Sequence, residues 1–131
     1  MQNKIVVRHL QNNDSDKAQW LKRDSRTFVE RMNNKIANNE CYFVLLNNKV
    51  RGLMSYDIVD EIPIVYKLFI DAIARRKGCA RALIKQFEED MQNKGFERVG
   101  VSHHGNDLYE RVYRKLGYIE GKEECLYKSL L

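Results

Sequence analysis

Short apolar runs alternate along the chain with polar, turn-forming clusters, a pattern typical of a domain that contains both strands and helices. Apolar, β-branched or alternating sequence predicts strands at Lys4–Leu10, Cys41–Leu46, Val50–Val59, Ile64–Ile70, Phe96–Ser102 and Glu124–Leu130. Asn47 and Asn48 suit a hairpin turn because asparagine tolerates a positive φ. Asp60, Glu61 and Pro63 indicate a second turn. The second and third strands are therefore expected to pair as a hairpin.

Helical spacing of the apolar residues is clearest over Ala80–Lys94, where they form one stripe. Gly95 follows this segment and is suited to ending a helix. A second helix is predicted from an Asn106 cap to Leu116, with Gly117 as its left-handed end.

Asp14–Ala37 carries a weaker apolar stripe, which predicts one broken helix or two. The element order is then β, one or two α, three β, α, β, α and β. This order predicts an α/β (α+β) fold with a mixed sheet. Because 131 residues is the usual size of one domain, residues 1–131 are expected to form a single domain.

The composition excludes some kinds of site and location but does not indicate a function. Cys41, Cys79 and Cys125 show no CxxC or CxxH spacing, so neither a disulfide framework nor a metal site is expected, and each is interpreted as a small buried hydrophobe. The chain has no apolar run of 18 residues and no apolar start long enough for a signal peptide. A cytoplasmic protein without a membrane partner is expected.

The formal charge of +5 has three interpretations: a polyanionic partner, a basic mouth for a phosphorylated cofactor, or a solvated surface. A nucleic-acid partner is suggested by charge alone, because the chain lacks a basic strand with interleaved aromatic residues or another recognisable binding motif. Nucleic acid is therefore not an expected partner.

The most informative segment is the basic stretch Arg75–Arg81, which lies between a predicted strand and the long helix. A loop entering a helix directs free backbone N–H groups outward, and the helix dipole adds positive potential. Gly78 and Ala80 have little or no side chain, so an anion can approach the backbone closely. Further positive charge comes from Arg75, Arg76, Lys77 and Arg81. The segment predicts a diphosphate site, the alternative being a basic helix start that is merely solvated.

This turn matches neither a P-loop nor a GxGxxG fingerprint, but it is similar to another signature. Arg75-x-x-Gly78-x-Ala80 resembles the R/Q-x-x-G-x-G/A signature of the GNAT superfamily of N-acetyltransferases, in which the turn holds the pyrophosphate of coenzyme A. The preceding Leu68–Ala72 is similar to the end of the family's strand, with Ala72 where proline is common.

A second motif follows in Asn106–Tyr118, which resembles the family pattern N-x-x-A-x-x-x-Y-x-K-x-G-F. Tyr109 occupies the usual alanine position, and Tyr118 the aromatic one. Asn106 and Tyr113 are seven residues apart, close to two helical turns, and so share one helix face. The resemblance implies that Asn106 hydrogen-bonds the pantetheine arm and that the Tyr113 hydroxyl reaches the cofactor sulfur. Without the resemblance, a tyrosine on such a helix is interpreted as a core or rim residue.

The resemblance covers Val50 to the C-terminus well and the first 40 residues by element order. It implies a GNAT-like acyl-CoA N-acyltransferase fold, whose central mixed, mostly antiparallel sheet is flanked by helices. It also implies acetyl-CoA as cosubstrate, with no metal. The coenzyme-binding residues that it implies are Ile70, Asp71, Ala72, Arg75, Arg76, Lys77, Gly78, Cys79, Ala80, Arg81, Asn106 and Tyr113.

The mechanism implied by the resemblance is direct attack of an acceptor amine on the acetyl thioester. The backbone N–H of Ile70 would stabilise the oxyanion, and Tyr113 would act as general acid toward the departing thiolate. The predicted strand Ile64–Ile70 carries no acid that could serve as general base. His103 is the candidate base, and the alternative for it and His104 is an exposed loop pair.

Three acids, Asp57, Asp60 and Glu61, and a water chain to solvent remain alternatives for the base. By resemblance, the acceptor is selected by Asp14–Ala37 and Asp57–Pro63, which mix both charge signs. The acceptor is therefore left as a small-molecule or peptide amine, and a homodimer is left open. The alternative function is a non-catalytic acyl-CoA-binding regulatory module.

Overall fold

The computed structural model describes residues 3–9, 38 and 40–131, so the predicted helical segment Asp14–Ala37 lies outside the described residues. The strands are β1 (Ile5–His9), β2 (Cys41–Leu46), β3 (Lys49–Val59), β4 (Ile62–Ile70), β5 (Arg98–Ser102), β6 (Ile119–Glu120) and β7 (Cys125–Ser129). The helices are α1 (Cys79–Asn93) and α2 (Asp107–Lys115), and one 3-10 turn covers Ala72–Ala74.

The described strands form one mixed sheet in the order β1-β2-β3-β4-β5-β7-β6. The pairs β1–β2, β2–β3, β5–β7 and β6–β7 are antiparallel, whereas β4 and β5 are parallel. The predicted α/β fold with a mostly antiparallel mixed sheet is confirmed. A parallel pair requires a crossover connection, which α1 supplies between β4 and β5.

The chain divides into two compact units. Unit 1 comprises Met1–Ser55 and Leu68–Leu83, and unit 2 comprises Tyr56–Lys67 and Ile84–Leu131.

The predicted turns are confirmed at their asparagine and acidic residues. Asn47 and Asn48 have φ of 53° and 70°, and Asp60 and Glu61 have φ of 51° and 67°. Two successive positive φ values are those of the tight turns that match the twist of a hairpin. Pro63 was expected in the second turn, but it lies inside β4, one residue after the strand begins. Strand starts tolerate proline.

In unit 1, β2 is buried along its whole length and lies between β1 and β3. A Cβ built on Gly52 of β3 would lie 2.7 Å from both Ile70 Cδ1 and the Phe69 carbonyl oxygen, closer than real Cβ contacts. Glycine at position 52 therefore lets the end of β4 pack directly against the β3 backbone.

Candidate active site

The basic turn of unit 1 leads directly into α1. The Gly78 carbonyl accepts the first helical hydrogen bond, from the Ala82 N–H at 3.0 Å, so Gly78 caps the helix. Its φ of +88° lies in the left-handed region, which favours glycine over residues with a side chain. The N–H groups of Cys79, Ala80 and Arg81 belong to the first helical turn and have no intrahelical acceptor. They are three backbone donors that an anion could accept from.

The surface at this turn is open and positively charged. A Cβ built on Gly78 meets Ile5 Cδ1 at 3.6 Å, an ordinary van der Waals contact. The side chains of Arg76, Lys77 and Arg81 are exposed and, within the described part of the chain, make no hydrogen bond or ion pair. Cationic side chains without partners beside free helical N–H groups suit a diphosphate.

Arg75 differs from the other cations of the turn. Its Nε donates a hydrogen bond to the Ile70 carbonyl oxygen at 3.2 Å, so the side chain points back to the end of β4. The sequence assigned Arg75 to the phosphate site through its charge. The structure shows that its Nε contacts Ile70, another predicted site residue.

The orientation of Ile70 follows from its two neighbours. The Asp71 N–H donates to the Arg51 carbonyl at 2.7 Å, and the Phe69 carbonyl lies against Gly52, so both neighbours are directed toward β3. Backbone groups alternate in direction along a strand. The N–H and carbonyl of Ile70 therefore point away from β3, so neither takes part in the pairing with that strand.

The Asp71 carboxylate is the acid closest in sequence to the basic turn. Arg51 donates to it at 3.3 Å, and no side-chain cap bond is made to the following 3-10 turn. An unpaired carboxylate beside a diphosphate site would repel the ligand, and the Arg51 charge offsets it. Ala72 begins the 3-10 turn and is exposed, while Cys79 is buried, which raises the pKa of its thiol.

In unit 2, Asn106 caps α2 as predicted. Its side-chain oxygen accepts from the Leu108 N–H at 2.9 Å and from the Tyr109 N–H at 3.2 Å. Because the oxygen serves the helix, the amide NH₂ is the part of Asn106 that can donate to a ligand. Gly117 ends the helix region with φ of +97°, also as predicted.

Tyr113 lies in the last turn of α2 and is buried, with 2% of its surface exposed. Its ring stacks on Tyr109 at 6.4 Å and lies tilted against Tyr118 at 6.1 Å. No described residue hydrogen-bonds its hydroxyl. Burial, then the nearby Tyr109, raises the pKa of Tyr113 above its ordinary value, so the hydroxyl keeps its proton. A buried hydroxyl without a partner is costly, and a bound ligand would supply the missing acceptor.

The end of α2 is fixed by a group of polar contacts around Glu88 of α1. The Tyr118 hydroxyl donates to the Glu88 carboxylate at 2.7 Å. Lys128 donates to the same carboxylate at 3.2 Å and to the Leu116 carbonyl at 2.8 Å. Because Tyr118 packs on Tyr113, these contacts restrict the position of the Tyr113 ring.

One ring nitrogen of His103 accepts a hydrogen bond, and the other lies near a carboxylate. Its Nδ1 accepts from the Gly105 N–H at 3.1 Å, and its Nε2 lies 3.7 Å from a Glu110 carboxylate oxygen. In this arrangement Nε2 carries the proton, and the lone pair that a base would use is occupied. His104 contacts the Tyr66 carbonyl through its Nε2, which must therefore also carry a proton.

The raised pKa of Tyr113 predicts a pH effect on stability. Above about pH 10 the unfolded chain releases its phenolic protons, whereas the folded chain retains this one, so the free energy of unfolding should fall as pH rises. Each such proton contributes a slope of about 1.4 kcal/mol per pH unit. The free energy of unfolding can be measured with urea at several pH values between pH 9 and pH 11.5. It should fall less steeply with pH for Tyr113→Phe than for the parent. An equal dependence on pH in the two proteins would contradict the raised pKa of Tyr113.

Each unit brings together one part of the predicted site. Unit 1 holds the end of β4 and the basic turn, and unit 2 holds His103, Asn106 and Tyr113. Sequence reasoning missed Arg51 and Gly52, which shape the end of β4. A glycine inside a strand signals close backbone approach and could have indicated Gly52.

Neither a metal-binding cluster nor a membrane-spanning helix occurs among the described residues. No group of three or more His, Cys, Asp or Glu side chains in them could hold a metal ion. None of their helices has the length and apolar character needed to cross a bilayer.

Residues 10–130 match the family model described as the acetyltransferase (GNAT) domain. The PaiA N-acetyltransferase of Thermoplasma acidophilum, in complex with coenzyme A, has a TM-score of 0.73 at 16% identity, covering 96% of this chain and 99% of that one. A GNAT-family acetyltransferase of Bacillus cereus has a TM-score of 0.80 at 17% identity, covering 98% and 99%. Ard1 of Thermoplasma volcanium has a TM-score of 0.75 at 15% identity, covering 97% and 98%. At these identities the likenesses show the fold. No curated protein matches the chain.

Proposed function

Because the chain belongs to the GNAT acetyltransferase domain family, we propose that it is an acetyl-CoA-dependent N-acetyltransferase that transfers the acetyl group directly to a primary amine. The observation that carries the proposal is the buried Tyr113 hydroxyl, which lacks a partner among the described residues. A hydroxyl in that state is ready to donate to a ligand atom.

The basic turn fits the diphosphate of the coenzyme. The N–H groups of Cys79, Ala80 and Arg81 provide backbone donors, and Gly78 leaves their approach open. Arg76 and Lys77 add charge on the same turn. Asn106 would donate through its amide to the pantetheine arm. The cosubstrate supplies an activated acetyl thioester.

Two groups of the chain would act on the reacting atoms. The Ile70 N–H, directed away from β3, would donate to the carbonyl oxygen as it gains negative charge. Tyr113, protonated at every working pH because its pKa is raised, would donate to the departing sulfur. Neither step requires Tyr113 to ionise beforehand.

Removal of the amine's proton is assigned to water. His103 has its lone pair engaged by Gly105, and Asp60 and Glu61 form the turn at the other end of β4 from Ile70. Asp57 of β3 stays the alternative to water. An alkylammonium has a pKa of about 10.4. The transfer rate should therefore rise as the pH approaches the pKa of the acceptor amine, since a larger fraction of the amine is then neutral.

We also propose that units 1 and 2 form one domain over residues 1–131, since β3, β4 and α1 each run from one unit into the other. A cytoplasmic location is supported by the free thiols of Cys41, Cys79 and Cys125, because reduced cysteines are usual in the cytosol. A homodimer remains a prediction.

Acetyl-CoA is expected to raise the melting temperature. A ligand at 100 times its Kd stabilises the folded state by about 2.7 kcal/mol, which corresponds to several degrees for a chain of this size. S-acetylpantetheine, which lacks the diphosphate, should give a smaller shift at the same concentration. Absence of any shift with millimolar acetyl-CoA would refute coenzyme binding.

Catalysis is tested separately, by release of free thiol from acetyl-CoA in the presence of a library of small-molecule and peptide amines. We expect at least one amine to give multiple turnovers and an acetylated product by mass spectrometry. Coenzyme binding without thiol release across the library would favour the alternative, a non-catalytic acyl-CoA-binding module.

A further inference from the structure

The end of β4 is held from both sides by arginines. On the β3 side, the Asp71 N–H donates to the Arg51 carbonyl at 2.7 Å, and the Arg51 guanidinium reaches the Asp71 carboxylate at 3.3 Å. On the opposite side, Arg75 Nε donates to the Ile70 carbonyl at 3.2 Å. Ile70 is thus held on one side by its neighbour Asp71, which is bonded to β3, and on the other side by the Arg75 side chain.

The contact made by Arg75 bears on the Ile70 N–H. Within a strand residue, the N–H and the carbonyl share one α-carbon and point to the same side. A hydrogen bond on the Ile70 carbonyl, together with the Asp71 bond to β3, therefore fixes the rotation of Ile70 about the strand axis. The same two bonds fix the direction in which its N–H points.

We infer that Arg75 is a positioning residue for the Ile70 N–H, acting through the hydrogen bond from Nε to the Ile70 carbonyl rather than through charge on the coenzyme diphosphate. The inference rests on the proposed function insofar as the Ile70 N–H is assigned to the acetyl carbonyl. A donor that drifts by about 1 Å can lower a rate by up to about 100-fold, so a positioning contact is measurable.

Two substitutions separate the hydrogen bond from the charge. In arginine the Nε is bonded to Cδ, and glutamine has its amide nitrogen at the same place, so Arg75→Gln keeps a donor and removes the charge. Arg75→Lys keeps the charge but has a carbon at that place. Arg76→Gln is the comparison for loss of charge, because Arg76 lies in the same turn, is exposed and makes no hydrogen bond or ion pair among the described residues.

The first measurement is the single-turnover rate of acetyl transfer at saturating acetyl-CoA, with the Kd measured in parallel. Arg75→Lys should lose about 10-fold in rate with little change in Kd, whereas Arg75→Gln should keep a rate within about twofold of the parent. Arg76→Gln should weaken the Kd for acetyl-CoA, as expected for a cation assigned to the diphosphate, and this weakening is the charge effect that Arg75→Gln should not show.

The second measurement uses the protein without coenzyme: hydrogen exchange at the Asp71 amide, which is bonded to Arg51. Exchange should be faster in Arg75→Lys and unchanged in Arg75→Gln. If the parent fails to bind acetyl-CoA, the proposed function fails. The relative exchange rates of the parent, Arg75→Lys and Arg75→Gln still decide the inference about Arg75. The inference is overturned if Arg75→Lys matches the parent in exchange and rate, or if Arg75→Gln loses as much as Arg75→Lys.

Discussion

Replacing Tyr113 with phenylalanine is expected to lower the single-turnover rate of acetyl transfer by about 10²–10⁴-fold, the usual contribution of a general acid. Phenylalanine keeps the ring that stacks on Tyr109 and packs against Tyr118. The substitution removes the hydroxyl alone. Since that hydroxyl would act in the transition state, the loss should appear in kcat with little change in the Kd for acetyl-CoA.

The same variant separates a catalytic role from a structural one. The hydroxyl is buried and has no hydrogen-bond partner among the described residues. Removing an unsatisfied buried group costs no hydrogen bond, so the melting temperature of the unliganded variant should not fall. A large rate loss in a protein of unchanged stability would be difficult to explain by misfolding.

Tyr109→Phe is the matched control, because it deletes a hydroxyl from the neighbouring ring of the same helix. Its transfer rate should stay close to that of the parent. Single-turnover conditions are needed, since slow product release could mask the chemical step. If Tyr113→Phe and the parent react at equal rates, Tyr113 has no part in the mechanism and the thiolate is protonated by water.

Local sequence signals predicted much of this molecule because their physical causes are local. Asn106 as a cap, Gly117 as a helix end and the Asn47–Asn48 turn each follow from the hydrogen-bonding capacity or permitted φ of one or two residues. Strand β2 was predicted with its observed bounds because a continuous apolar run of six residues fits a buried strand.

Two features that depend on tertiary pairing were not predicted, the strand β6 and the start of β4. The two-residue strand β6 exists through its pairing with β7, and Ile119 and Glu120 show no strand pattern of their own. Pro63 favours a turn locally, yet pairing extends β4 back to Ile62 and includes it. Local preference is a weak predictor where long-range contacts stabilise the alternative.

The different contacts of Arg75 and Arg76 in the basic turn also lay beyond the sequence. Arg75 and Arg76 are adjacent cations, and their charges alone give both the same role. The structure separates them, because Arg75 bonds the Ile70 carbonyl while Arg76 has a positive φ and an exposed side chain. The identity of the bonded atom depends on where β4 ends, which Gly52 and Arg51 determine from another strand.

The second large effect is expected at Gly78. A glutamate there would place a carboxylate beside the backbone donors proposed to hold the diphosphate. Two like unit charges about 5 Å apart at an effective dielectric near 20 repel by about 3 kcal/mol, and solvent at this exposed turn weakens the repulsion, so Gly78→Glu should weaken acetyl-CoA binding by about 10- to 100-fold. Isothermal titration of both proteins measures the change.

The positive φ of Gly78 introduces a second effect that needs a control. Any side chain at φ of +88° strains the backbone, at a cost of about 1–2 kcal/mol. Gly95 has φ of +91°, no atom within 4 Å of its built Cβ, and a position after the opposite end of α1. Gly95→Glu should therefore lose similar stability and add the same charge while leaving the coenzyme Kd unchanged. If the two variants bind acetyl-CoA equally well, the diphosphate lies elsewhere than on this turn.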